Sequence, residues 1–192
     1  MIRPRLTRLQ KILLDILALY IADVGVLWLL DRIICSFYST EHGNGLPLGN
    51  LTSQLLVNIY LNEFDRFVKQ KLRVKYYIRY ADDFVIFSQN KDYLEKLIHQ
   101  VENFLVTRLM LMLHPNKVSI ETINSGIDYL GWVHFPDHRV LRTVTKKRML
   151  KRLQNNSEPA TMASYLGLLS HGNTKKLQNE VLRIGKLNVT HY

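Results

Sequence analysis

The stretch YYIRYADDFVIF, residues 76–87, decides how this chain is read. Two adjacent carboxylates, Asp82 and Asp83, lie between two runs that read as strands. Val74, Tyr76, Ile78 and Tyr80 alternate with Lys75, Tyr77 and Arg79, the pattern of a strand with one buried face. Residues 84–87 are apolar throughout, as a central strand would be. The chain can reverse only between these runs, so the spacing predicts a hairpin with Asp82 and Asp83 at its tip. The Asn-Gly or Asp-Gly pair that favours such turns is absent. Consecutive strand residues point to opposite faces, so a regular strand could not aim both carboxylates at one ion. A turn can, or one Asp can bind while the other supports it. Adjacent carboxylates suit Mg²⁺, which is held by one or two of them together with waters and substrate phosphates. Alone, an Asp-Asp pair is an ordinary solvated turn. Its surroundings have to decide.

At 192 residues the chain can bury a real core, and its 47% hydrophobic content is globular rather than disordered. Lys and Arg number 26 against 16 Asp and Glu, a net charge of +10. Such an excess favours polyanions, nucleic acid first among them. A single cysteine, Cys35, excludes an internal disulfide and a four-cysteine zinc site. In its apolar setting it reads as a buried, inert thiol, which favours a cytoplasmic location. The apolar opening of the chain is interrupted by Asp15, Asp23 and Asp31, so it reads as two soluble helices broken near Gly25. No membrane span is expected.

Further along, residues 38–50 are rich in Gly, Asn and Pro and must be loop. A long helix follows, with Leu55, Ile59, Phe64 and Phe67 at helical spacing and Asn50, Thr52 or Ser53 as N-cap. After the hairpin, Tyr93, Leu94, Leu97, Ile98, Val101, Phe104 and Leu105 form one helical stripe, which must stop before His114 and Pro115. Three strand-like runs come next, residues 118–123, 127–135 and 138–142, the second turned into the third by Pro136, Asp137 and His138. Basic helical text then leads through a polar break near residues 154–159 to a last pair of helices. The expected domains are residues 1–153 and a helical subdomain at 154–192. The order of elements predicts an α+β layer, helices on one face of an antiparallel sheet.

Two further segments bear on chemistry. Gly45 and Gly49 precede a helix, where close backbone approach and free N–H groups attract phosphate. Lys117, in LHPNK, follows a helix stop; beside a metal site it could neutralise or protonate a phosphate leaving group. His114, His134 and His138 lack the spacing of a zinc site and read as turn and surface residues. Trp28 and Trp132 fit core packing at least as well as base stacking.

Taken together, these segments resemble reverse transcriptases. Tyr80-Ala81-Asp82-Asp83 is similar to their catalytic hairpin signature, residues 45–54 to the loop and helix against nucleotide and template, and GIDYLGWVHF to the hairpin that grips the primer. ASYLGLLSHGNTKKL resembles the thumb. The LGNLTSQ form looks most like enzymes of diversity-generating retroelements, with group II intron and retron enzymes as near alternatives. The resemblance implies a palm-like antiparallel sheet packed on helices with a small helical thumb, and RNA-templated DNA synthesis by two-metal nucleotidyl transfer. Asp82 and Asp83 would be metal ligands for Mg²⁺, or alternatively Mn²⁺, and Lys117 the acid. Tyr80, Ala81, Gly49, Asn50, Ser53 and Gln54 would line nucleotide and template, with Leu130, Gly131 and Trp132 as primer grip. Partners would be an RNA template, a DNA primer and deoxynucleoside triphosphates, with a small accessory protein as a further candidate.

One departure matters. The family draws another metal-binding aspartate from a strand ahead of the first helices, but MIRPRLTRLQ contains no acid, and the fingers are not represented. A third carboxylate helps to neutralise two closely spaced divalent ions. The expectation is therefore a truncated or split enzyme with impaired activity, or one that needs a separate N-terminal fingers segment. The alternative is a non-catalytic nucleic-acid-binding module of the same fold.

Overall fold

The structure, a computed structural model, describes residues 8–36, 51–155 and 158–189. They fall into two compact units, residues 1–120 and 121–192. The polar break near 154–159 lies inside the second unit.

The first unit begins with α1 (Arg8–Tyr20) and α2 (Val24–Ser36). The break between them is set by Asp23, whose carboxylate accepts from the Val26 amide, an N-terminal cap. Gly25, the expected breaker, sits inside the first turn of α2. The buried amide of Gln10 donates to the Ile34 carbonyl and ties the two helices together. Cys35 is only half-buried, its thiol 3.5 Å from Asp31 Oδ1.

Helix α3 (Leu51–Arg66) widens into a π-helical turn at Phe67–Lys71. Its buried stripe is Ser53, Leu56, Tyr60, Phe64 and Val68, whereas Leu55, expected inside, is exposed. Helix α4 (Lys91–Leu109) is capped by Asn90, which accepts from the Tyr93 amide, and it ends on Met110 at φ +52°. Its inward stripe is Leu97, Val101, Leu105 and Leu109. Tyr60 donates to the Leu109 carbonyl at 2.5 Å, and burial pushes its phenol up to about 12.

Strands β1 (Tyr76–Tyr80) and β2 (Asp83–Phe87) form an antiparallel hairpin in which Tyr80 pairs with Asp83. The alternation in β1 is as expected, and the covered face is the one that carries Tyr77 and Arg79. Tyr77 and Arg79 point to the core, while Tyr76, Ile78 and Tyr80 are 56%, 55% and 65% exposed. The reason is tertiary: α3 offers the inward face an acid and an aromatic floor, which suit Arg79 and Tyr77 better than a purely apolar strand.

The second unit contains a meander of β3 (Ile127–Tyr129), β4 (Trp132–His134) and β5 (Arg139–Leu141). Helices α5 (Thr143–Asn155), α6 (Pro159–Leu169) and α7 (Lys175–Val189) follow. The run 127–135, read as one strand, is thus two, split by a turn at Leu130 and Gly131, both at positive φ. Residues 118–123 form no strand, for want of a pairing partner. Trp132, Leu141, Met149, Leu153, Leu169, Leu177 and Val181 make the core of this unit. The α+β class stands: helices with two small antiparallel sheets. No described helix is long and apolar enough to cross a membrane.

Candidate active site

The loop of the first hairpin is two residues long, Ala81 and Asp82, and Asp83 is the first residue of β2. Both carboxylates are exposed. Because Tyr80 and Asp83 are register partners, Asp83 lies on the uncovered face with Tyr80, Ile78 and Tyr76. Asp82 stands at the apex. Ala81 has φ +51°, a conformation that costs an L-residue roughly 1–2 kcal/mol and must be held by something else.

Beneath the hairpin, Phe64 of α3 meets Phe84 and Tyr77 edge-on at centroid separations of 5.0 and 6.0 Å. Phe67 stacks on Phe104 of α4 at 4.0 Å. Such pairs add specific geometry to apolar burial. They give the hairpin a floor that cannot slide.

Beside this floor lies a polar clasp. Arg79 donates from Nε to Asp65 Oδ1 at 2.8 Å and from Nη2 to Asp65 Oδ2 at 2.5 Å, a bidentate pair. Its Nη1 donates to Asn58 Oδ1 at 3.2 Å and to the Ala81 carbonyl at 2.8 Å. The Tyr77 hydroxyl donates to Asp65 at 2.6 Å. Burial alone would raise the Asp65 carboxyl, but the hydrogen bonds from Arg79 and Tyr77 and the guanidinium charge outweigh it and hold it below its usual value. The hydrogen bond to Asp65 raises Arg79, and burial raises the Tyr77 phenol.

The other candidate residues are distributed as follows. Ser53 is buried and Gln54 exposed, both in the first turn of α3. Gly49 and Asn50 lie outside the described residues. Lys117 is exposed in a 3₁₀ turn, Pro115–Lys117, whose His114 side chain accepts from the Asn116 amide. In the second unit Leu130 and Gly131 form the tip of β3–β4, while Trp132 is 7% exposed, with the Arg139 guanidinium 5.1 Å from its ring. Trp28 is exposed beneath Arg32.

Two carboxylates with hard oxygen donors and open water access are a donor set suited to a substrate-assisted Mg²⁺ site. No group of three or more Asp, Glu, His or Cys side chains gathers as a metal cage among the described residues. Asp65, Asn58 and the inward role of Arg79 are absent from the sequence reading. The usable signal was the seven-residue spacing of Asn58 and Asp65, which places two polar groups on one stripe of α3.

Residues 10–134 match the family described as reverse transcriptase (RNA-dependent DNA polymerase). The chain belongs to that family. The matched region takes in the β1–β2 and β3–β4 hairpins. Among curated proteins, Protein YkfC of Escherichia coli (strain K12) is 28% identical over 130 residues, covering 51% of this chain. The match spans 32% of the length of YkfC, about a third.

Proposed function

We propose that this chain carries the palm and thumb of an RNA-directed DNA polymerase that adds deoxynucleotides to a primer 3′-hydroxyl by two-metal nucleotidyl transfer. The observation that carries the reading is the Asp82–Asp83 tip, exposed on one side and braced on the other by α3. Asp82 and Asp83 would hold divalent ions, Mg²⁺ or Mn²⁺, which supply Lewis-acid activation of the hydroxyl and charge neutralisation at the triphosphate. Tyr80 and Ala81, with Ser53, Gln54, Gly49 and Asn50, orient nucleotide and template. Lys117 delivers a proton to the departing pyrophosphate. Leu130, Gly131 and Trp132 form the primer grip, Trp132 by anchoring the strand that leaves the turn.

Helix α5 exposes Lys146, Lys147, Arg148, Lys151 and Arg152 and contains no acid, a surface suited to duplex phosphates. Binding through such contacts weakens with salt, the slope of log K against log salt being about −0.9 per phosphate neutralised. The subtype is that of diversity-generating retroelements, with a small accessory protein as a further partner.

In this reading metal binding at the aspartate pair precedes turnover. The deciding test is therefore binding as well as turnover. Mn²⁺ titration by electron paramagnetic resonance, with primer–template and a non-hydrolysable nucleotide, should show a site that Asp82→Asn weakens at least tenfold while duplex affinity is retained. Equal Mn²⁺ and nucleotide binding by Asp82→Asn would overturn the catalytic reading. The second reading, a nucleic-acid-binding module without catalysis, is favoured by the lack of a third ligand beside the pair among the described residues. Robust primer extension by residues 1–192 would remove that reading.

A further inference from the structure

We propose that Arg79, oriented by Asp65, is the positioning residue for the aspartate pair: its grip on the Ala81 carbonyl sets the turn that presents Asp82 and Asp83. The inference rests on the catalytic reading of that pair, but its physical core is a statement about the turn.

The turn has no local cause. Ala81 is neither Gly, Asn nor Asp, yet it adopts φ +51°, so the position of positive φ lacks a residue that chooses such a conformation unaided. Something outside the loop must favour it. Among the described residues, one side-chain hydrogen bond reaches the loop's backbone, from Arg79 to the carbonyl of Ala81 itself. That guanidinium is in turn immobile. Its side chain is 10% exposed, and its remaining bonds go to both oxygens of Asp65 and to Asn58 on α3. The chain of constraint therefore runs from a helix through a rigid planar fork to a loop carbonyl, and from there to the carboxylates on either side of one peptide bond.

Only arginine can do this. Its planar guanidinium makes four donor contacts to four acceptor atoms on three residues, whereas lysine offers a single ammonium on a flexible stem. A bidentate pair that served only stability would have no need of the loop, since a buried ion pair contributes little net stability over well-packed apolar residues. The additional bond to Ala81 is what distinguishes the arrangement from an ordinary structural pair.

The test compares Arg79→Lys, the double variant Arg79→Lys/Ala81→Gly, and Leu105→Ala as a destabilised control in the same core. Circular dichroism establishes that each folds. The three-bond HN–Hα coupling of Ala81 reports its φ, and Mn²⁺ titration by electron paramagnetic resonance reports the aspartate pair. Arg79→Lys should shift the Ala81 coupling and weaken Mn²⁺ about tenfold. Glycine accepts positive φ freely, so the double variant should recover about threefold of that loss. Leu105→Ala should alter neither readout beyond twofold, whatever it does to Tm. An unchanged Ala81 coupling in folded Arg79→Lys overturns the proposal, as does an Mn²⁺ loss equalled by Leu105→Ala and not recovered by glycine. If the wild-type chain shows no Mn²⁺ site sensitive to Asp82→Asn, the catalytic reading fails separately, and the coupling alone judges the turn.

Discussion

Two of the hairpins among the described residues, β1–β2 and β3–β4, reverse direction in two residues each, by opposite means. In β1–β2 the loop is Ala81 and Asp82, with positive φ at the alanine, and its carbonyl is held by a side chain from the same strand, itself pinned by Asp65. In β3–β4 the loop is Leu130 and Gly131, with φ +52° and +83°, the twist that a two-residue hairpin prefers. There the tip carbonyl, Gly131, is held by a backbone amide, that of Arg142. One turn is imposed by distant side chains and the other is written into the loop and the next strand. The lesson is about vulnerability. The first hairpin can be disordered by changing one side chain outside its loop, whereas the second yields only to changes in backbone or packing.

The largest expected effect is a packing one in the second unit. The Ser170–Asn173 turn lies against β5: the Asn173 amide donates to the Arg139 carbonyl, and Arg139 Nε donates to the His171 carbonyl at 2.5 Å. A Cβ at Gly172 would overlap the Trp132 ring and come within 2.9 Å of the Arg139 carbonyl oxygen. Neither atom is at the end of a flexible side chain. Gly172→Ala should cost about 3 kcal/mol, at the upper end of overpacking penalties, read by denaturant unfolding. The Ala81 coupling in the first unit should not move; if it does, the hairpins are less independent than their separate cores imply.

An intermediate effect comes from comparing two Arg–Asp pairs. Asp65 keeps 29% of its side-chain exposure against 10% for Arg79, whereas Asp128 and Arg142 keep 51% and 40%. Asp65→Asn should cost about 1.5 kcal/mol at pH 7, the range of a charge-assisted hydrogen bond in partial contact with water. Asp128→Asn should cost at most about 0.5 kcal/mol, as exposed pairs do. The sign with pH follows from the depressed Asp65 carboxyl. A folded value below the unfolded one, about 3.9, gives stability that is full above pH 4 and is lost as pH falls through the depressed value. Wild type and Asp65→Asn should therefore differ most near neutrality and converge in strong acid. A gap that stays constant with pH would show that the pair acts by shape rather than charge.

These contrasts also explain what could be seen in the sequence. The location of the first hairpin was legible, because apolar strands on both sides left only Ala81, Asp82 and Asp83 for reversal. Its facing was not. Arg79 looks outward by type, and the acid that turns it inward lies 14 residues away on another element, where no periodicity can register it. Leu55 was misplaced for the related reason that several faces of α3 are apolar, and only packing selects Leu56, Tyr60 and Phe64. In the second unit Gly131 was a sufficient sign that residues 127–135 fold back on themselves, although β-branched and aromatic neighbours on both sides read as one strand. For the site, the exposed acids announced themselves by type. The clasp that positions them did not, because its parts are two helix residues, two strand residues and a carbonyl.

The smallest expected effect exchanges the two loops' chemistry and so tests the comparison directly. Gly131→Ala places an L-residue at φ +83° in a turn whose conformation the loop itself must supply, and it should cost about 1 kcal/mol. Space is not the obstacle, because the nearest neighbour to an added Cβ there, Thr145 Oγ1, is 3.8 Å away. Ala81→Gly removes a comparable strain at φ +51°, but glycine also frees the unfolded chain, and the two terms nearly cancel. Its stability should change by less than about 0.5 kcal/mol in denaturant unfolding. The asymmetry is the point. If Arg79 did not hold Ala81, the alanine would leave its strained conformation, and glycine would have no strain to relieve, so only the entropic loss would remain. Ala81→Gly would then destabilise by about as much as Gly131→Ala, and the distinction between an imposed turn and a self-sufficient one would collapse.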